Sequence, residues 1–200
     1  MDLERLTGAL IQPDDAVHTD ALRRAAVAVL LSESPDTDIV LTKRSPTLRD
    51  HPGQVSLPGG MIEAGEDVVT AALRESEEEV GFDPANATVL GALPGAVSSR
   101  GTIDVTAIVA TWPGTEVLTA VDLAEVASVH RIPVRDLVDP GARFTAHLPA
   151  GYAGPGFTAD TLFVWGMTAH VLERLFRLAG WEQPWDRERR RPVPKDVGGW

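Results

Sequence analysis

Three glutamates spaced i, i+3 and i+4 (Glu75, Glu78 and Glu79) carry the strongest chemical signal in the chain. On a helix over residues 67–80, at about 100° per residue, they share one arc roughly 100° wide. Val69, Ala72, Leu73, Ser76 and Val80 fall on the adjacent arc, which would pack against the protein body. Like charges at this spacing destabilise a helix by a few tenths of a kcal/mol per pair, so the cluster adds nothing to helix stability. A divalent cation would neutralise it, and hard oxygen ligands select Mg²⁺, Mn²⁺ or Ca²⁺ over softer metals. Alone, the helix could equally present a solvated acidic face. The flanks favour chemistry. Pro58-Gly59-Gly60 offers a tight turn whose backbone can approach a ligand closely, with the Gly60 carbonyl as a further metal ligand. Arg74 sits beside the carboxylates and could pair with Glu66 or hold one of them in place.

The spacing resembles the Nudix box, Gly-x5-Glu-x7-Arg-Glu-U-x-Glu-Glu-x-Gly-U, with U bulky and aliphatic. Gly60, Glu66, Arg74, Glu75, Glu78, Glu79 and Gly81 match its fixed positions. Ser76 departs from the first U, on the apolar side of the helix, and Phe82 fills the last. The resemblance implies an α/β protein, an α/β/α sandwich around a mixed β-sheet, that hydrolyses a nucleoside diphosphate linked to another group. It implies that Glu75, Glu78, Glu79 and the Gly60 carbonyl bind Mg²⁺ or Mn²⁺, and that Glu66, Arg74 and Gly81 are structural. The general base varies among relatives; a box glutamate or a later one serves. Glu116 and Glu125 are the later candidates here, and Glu125 precedes a strand in a region resembling the catalytic loop of relatives.

Upstream, Lys43, Arg44 and Arg49 lie close to the catalytic segment in an otherwise acidic chain. Three cations on a shaped loop could meet phosphates, or hold the loop to the helix through carboxylates. The run is similar to the signature of the coenzyme A pyrophosphatase branch, Leu-Leu-Thr-x-Arg-Ser-x3-Arg-x3-Gly-x3-Phe-Pro-Gly-Gly. Leu41, Thr42, Arg44, Ser45, Arg49, Gly53, Pro58, Gly59 and Gly60 match; Val40 and Leu57 replace its first Leu and its Phe. This resemblance implies a coenzyme A or acyl-coenzyme A substrate, with Lys43, Arg44, Ser45 and Arg49 binding it and a cation meeting the 3′-phosphate. ADP-ribose, NADH or another nucleoside diphosphate derivative is the alternative, and a nucleotide-sensing domain without catalysis a further one. His51 reads as a loop hydrogen-bonder. The resemblance leaves a homodimer open.

The positioning elements read as follows. Residues 1–12 suggest a short helix on Leu3, Leu6 and Leu10. Residues 25–31 and 39–42 look like a buried β-hairpin. Residues 44–60 form a long shaped loop with a short strand at 54–57, and such a loop in a compact domain is usually functional. Strands are expected over 88–93, 103–111 and 126–132. The near-3.6 recurrence of Leu162, Trp165, Thr168, Ala169, Leu172, Leu175 and Phe176 predicts a helix over 160–178. The implied division is a leader at 1–22, a hydrolase domain at 23–180 and a tail at 181–200. The tail is rich in Arg, Pro and Trp. It is expected to be solvated or loosely docked, with Trp181, Trp185 and Trp200 touching something apolar.

Composition narrows the partners. The 200 residues are 44% hydrophobic and 24% charged, enough for one ordinary core. A net charge of −11 repels nucleic acid and anionic membranes, whereas a phosphorylated small molecule can still be held through bridging metal ions. The chain has no cysteine, which excludes thiol nucleophiles, disulfides and Cys-based zinc sites and suits a reducing cytoplasm. The first residues lack the basic start and apolar stretch of a signal peptide, and the run at 25–31 is too short to span a bilayer. The expectation is a cytoplasmic protein.

Overall fold

The computed structural model describes residues 3–16, 23–94, 97–99, 103–149 and 151–197. Trp200, expected to help dock the tail, lies outside them. The long central strand β1 (Arg23–Ser32) is apolar on both faces because both are covered. Ala26, Ala28 and Leu30 pack with α2 (Val68–Val80) in one core. Val27, Val29 and Leu31 pack with α1 (Glu4–Ala9) and α4 (Gly166–Ala179) in another. This alternation makes the expected α/β/α sandwich.

One edge of β1 runs parallel to β7 (Ile103–Trp112) over ten residue pairs, and β5 (Thr88–Ala92) adds antiparallel beyond β7. The other edge of β1 is shared. Its first half pairs with β4 (Gly59–Met61), whereas its far end meets β2 (Asp38–Arg44) only at Leu31↔Ile39. Strand β2 then leaves β1 and pairs with β8 (Val126–Pro133) and β3 (Val55–Ser56). The expected 25–31/39–42 hairpin therefore exists only at its turn. Where β2 and β4 part, the edge opens beside the N-terminal half of β1.

A second sheet, in the order β11-β10-β9-β12, was not foreseen. It holds β9 (Arg143–His147), β10 (Ala153–Ala159), β11 (Leu162–Val164) and β12 (Arg190–Pro192). It corrects the helix expected over 160–178. Asp160 takes a left-handed conformation (φ 52°) that turns the chain, Leu162–Val164 pairs back on β10, and the helix starts only at Gly166. The expected tail is corrected as well. Strand β12 lies parallel to β9, and Val193 and Val197 are buried with Phe144 and Ala146. Trp185 covers the fully buried Arg143 guanidinium (4.7 Å), which faces the Phe157 ring on its other side (4.4 Å). Short α3 (Val134–Val138) completes the fold. Among the described residues no helix is long and apolar enough to cross a membrane.

Candidate active site

Helix α2 is delimited by its own sequence. Asp67 caps it, accepting the Val69 and Thr70 N–H groups at 2.9 Å. Gly81 ends it in the left-handed conformation (φ 70°) that a non-glycine residue adopts only at a cost. Ser76, at the box position usually aliphatic, is buried. Its hydroxyl donates to the Ala72 carbonyl at 2.7 Å, so the polar group is satisfied within the helix. Phe82 is buried edge-on against Trp112. Leu57, where the signature has Phe, is a core residue.

The buried face of α2 is rotated from the expected arc. Val68 and Ala71 are inside with Ala72, Ser76 and Val80, whereas Val69 and Leu73 are half-buried. The rotation carries Glu79 inward, to 5% exposure. Its carboxylate accepts the Gly59 N–H at 3.2 Å. Burial, opposed by that bond and reinforced by Glu75 and Glu125, pushes its pKa up to about 7. Burial also raises Glu75. Gly60 crosses close over Glu75, where any Cβ would sit 2.3 Å from a carboxylate oxygen.

Arg74 ties the loop to the helix. It makes paired bonds to Glu66 (Nε–Oε1 2.9 Å, Nη2–Oε2 3.2 Å), donates to the Met61 carbonyl and reaches Glu75 (3.0 Å) and Glu78 (2.9 Å) through Nη1. The Glu66 carboxylate also accepts the Glu63 N–H, and Arg74 holds it below the usual carboxylate range.

The upstream residues separate. Strand alternation sends Arg44 to the α2 side, near enough to draw Glu79 downward, and its Nε is buried with no hydrogen-bond partner. Lys43 points to the opposite side, lining a cavity of about 150 Å³ with Gly53, Val55, Phe163, Pro194 and Val197. Ser45 is buried, its hydroxyl 2.8 Å from that of Thr47. Arg49 is exposed and without an ion pair among the described residues. His51 is a turn residue (φ 57°) whose carbonyl accepts the Gln54 N–H. The two later glutamates also part. Glu116 bonds Asn86 and the Asp83 N–H beyond the end of α2. Glu125 acts electrostatically on Glu75 and Glu79, and its carbonyl accepts the Ser45 N–H at 2.8 Å.

Sequence reasoning missed the Gly59 N–H and the loop of residues 113–125, whose Thr119 and Val121 N–H groups bond the Val80 and Glu79 carbonyls. The Pro58-Gly59-Gly60 turn hinted at the first; the second is backbone geometry with no side-chain signature.

Residues 22–151 match the NUDIX domain. The chain is 33% identical over 174 residues to the protein called uncharacterized Nudix hydrolase NudL in Klebsiella pneumoniae, covering 83% of this chain and 88% of that one. The Escherichia coli protein of the same name is 34% identical over 170 residues, with the same coverage. The chain belongs to the Nudix family. It is a Nudix hydrolase, and solved Nudix structures share its fold. RenU of M. smegmatis matches at a TM-score of 0.56 and 17% identity, covering 88% of this chain and 98% of its own. The MutT protein of Methanosarcina mazei matches at 0.53 and 17%, covering 80% and 96%.

Among the described residues no three side chains yet converge as a metal cage: Arg74 occupies Glu75 and Glu78, and Gly59 holds Glu79. The donor set still fits a hard divalent cation. Its carboxylate oxygens are crowded and partly dehydrated, with the raised Glu75 and Glu79 pKa values as the mark of uncompensated charge.

Proposed function

We propose that this Nudix hydrolase adds water across the pyrophosphate of coenzyme A or acyl-coenzyme A, releasing 3′,5′-ADP and (acyl-)4′-phosphopantetheine. One observation carries the reading: the Arg44 guanidinium, with a buried and unpartnered N–H, stands beside the dehydrated carboxylates of Glu75 and Glu79. Anion-binding and cation-binding chemistry meet there, as a metal-bridged diphosphate requires. The upstream run containing Arg44 and Arg49 supports coenzyme A within the nucleoside diphosphate class.

Mg²⁺ or Mn²⁺, held by Glu75, Glu78, Glu79 and the Gly60 carbonyl, would offset diphosphate charge and acidify the attacking water. The other roles belong to the chain. Arg44 binds a diphosphate oxygen. Arg74, anchored on Glu66 and Met61, orients Glu75 and releases Glu78, which is 59% exposed and free to turn. Glu125, solvent-accessible and on a pinned loop, accepts the proton of the attacking water. Arg49, unpaired and exposed, meets the 3′-phosphate, whereas Ser45 shapes the loop. Lys43, on the far side, is left out of the diphosphate contacts.

Comparing coenzyme A with its 3′-dephospho form tests the substrate assignment. Arg49→Ala should cost coenzyme A about tenfold in kcat/KM, one charged contact's worth, and the dephospho form much less. Equal losses on both would remove the 3′-phosphate role.

A further inference from the structure

The loop of residues 113–125, between β7 and β8, presents an apolar surface at the edge of the site. Among the described residues the exposed large hydrophobic side chains are Val89, Val117, Val121 and Leu123, and three of the four lie in this loop at 88%, 60% and 69% exposure. Scattered apolar residues on a surface need no explanation; a group on one short segment does. The segment is held firmly. Val121 N–H bonds the Glu79 carbonyl and Thr119 N–H the Val80 carbonyl, both at 3.1 Å. Further on, Asp122 accepts the Ala124 N–H and Glu125 is bonded to Ser45. Val121 thus sits on the backbone of the buried carboxylate, and Leu123 stands two residues from Glu125.

Charge selects which part of a substrate could lie here. Residues 113–125 contain Glu116, Asp122 and Glu125 and no Lys or Arg. A phosphate-bearing nucleoside half would be repelled, whereas an uncharged arm loses nothing and gains apolar contact.

We propose that Val121 and Leu123 form the seat for the apolar arm of the substrate, a fatty acyl chain carried on the pantetheine half, so that acylated substrates are preferred over the free thiol. This rests on the coenzyme A reading and adds to it the residues that set chain-length preference.

The test compares wild type, Leu123→Ser and Val121→Ser/Leu123→Ser on coenzyme A, acetyl-coenzyme A, octanoyl-coenzyme A and ADP-ribose. Wild-type kcat/KM should rise with chain length. In the double variant the octanoyl-to-free ratio should fall about tenfold, the worth of one lost aliphatic contact, with the single variant between. A ratio unchanged by both variants overturns the proposal while leaving coenzyme A hydrolysis standing. So does a changed sedimentation mass with an unchanged ratio, which would make the loop a self-association surface. Cleavage of ADP-ribose alone overturns the coenzyme A reading and this proposal together.

Discussion

Glu79 occupies a position that an isolated carboxylate would avoid, and the protonation it favours has a measurable consequence. Its folded pKa of about 7 lies above the ordinary 4.5. Between those values the folded chain keeps a proton that the unfolded chain has lost, so stability falls as pH rises through that window. Without metal the loss is up to about 3 kcal/mol. In EDTA, the Tm of wild type should drop between pH 5 and pH 8. Glu79→Gln should flatten that drop and melt higher than wild type at pH 8, while losing ~10³-fold or more in kcat with Mg²⁺. A folded Glu79→Gln protein with near-normal turnover would remove Glu79 from the metal set. At this scale the Arg74–Glu66 pairing was legible because the spacing places opposite charges together. The burial of Glu79 was not. A helical wheel gives relative angles, and only the packing of Val68 and Ala71 fixes which way the helix is turned. Lys43 and Arg44 were likewise grouped by adjacency, although strand alternation parts them.

Helix α2 and the turn before it are separable in effect. Asp67→Ala removes a cap that accepts two backbone N–H groups and should cost about 1 kcal/mol of stability, read in a denaturation midpoint, with little change in kcat. Gly60→Ala should do the reverse. Its Cβ would press on the Glu75 carboxylate, and a displaced catalytic group of this kind costs on the order of 100-fold in rate. Equal turnover in Gly60→Ala and wild type would contradict the close approach. Strong periodicity made α2 readable. It misled at 162–164, where Leu162 fitted the helical repeat as well as it fits β11, and pairing with Phe157–Ala159 decided the matter.

The whole molecule joins its two sheets through the C-terminal segment. Strand β12 hydrogen-bonds beside β9, Trp185 covers Arg143, and Val193 and Val197 complete a small core. Removing residues 182–200 should therefore lower Tm by well over 10 °C or prevent soluble folding, because buried Phe144 and Arg143 would be uncovered. The segment looked like a tail because Pro and Arg dominate its composition. Its partner, β9, is about 45 residues earlier, and local patterns do not report pairing at that distance. The decisive experiment is hydrolysis of a panel (coenzyme A, acetyl-coenzyme A, ADP-ribose, NADH and a nucleotide sugar) with millimolar Mg²⁺ or Mn²⁺, products identified by mass. Dominant formation of 3′,5′-ADP with phosphopantetheine or its acetyl form is the predicted result. Preferential cleavage of ADP-ribose or NADH, with coenzyme A untouched, would contradict it.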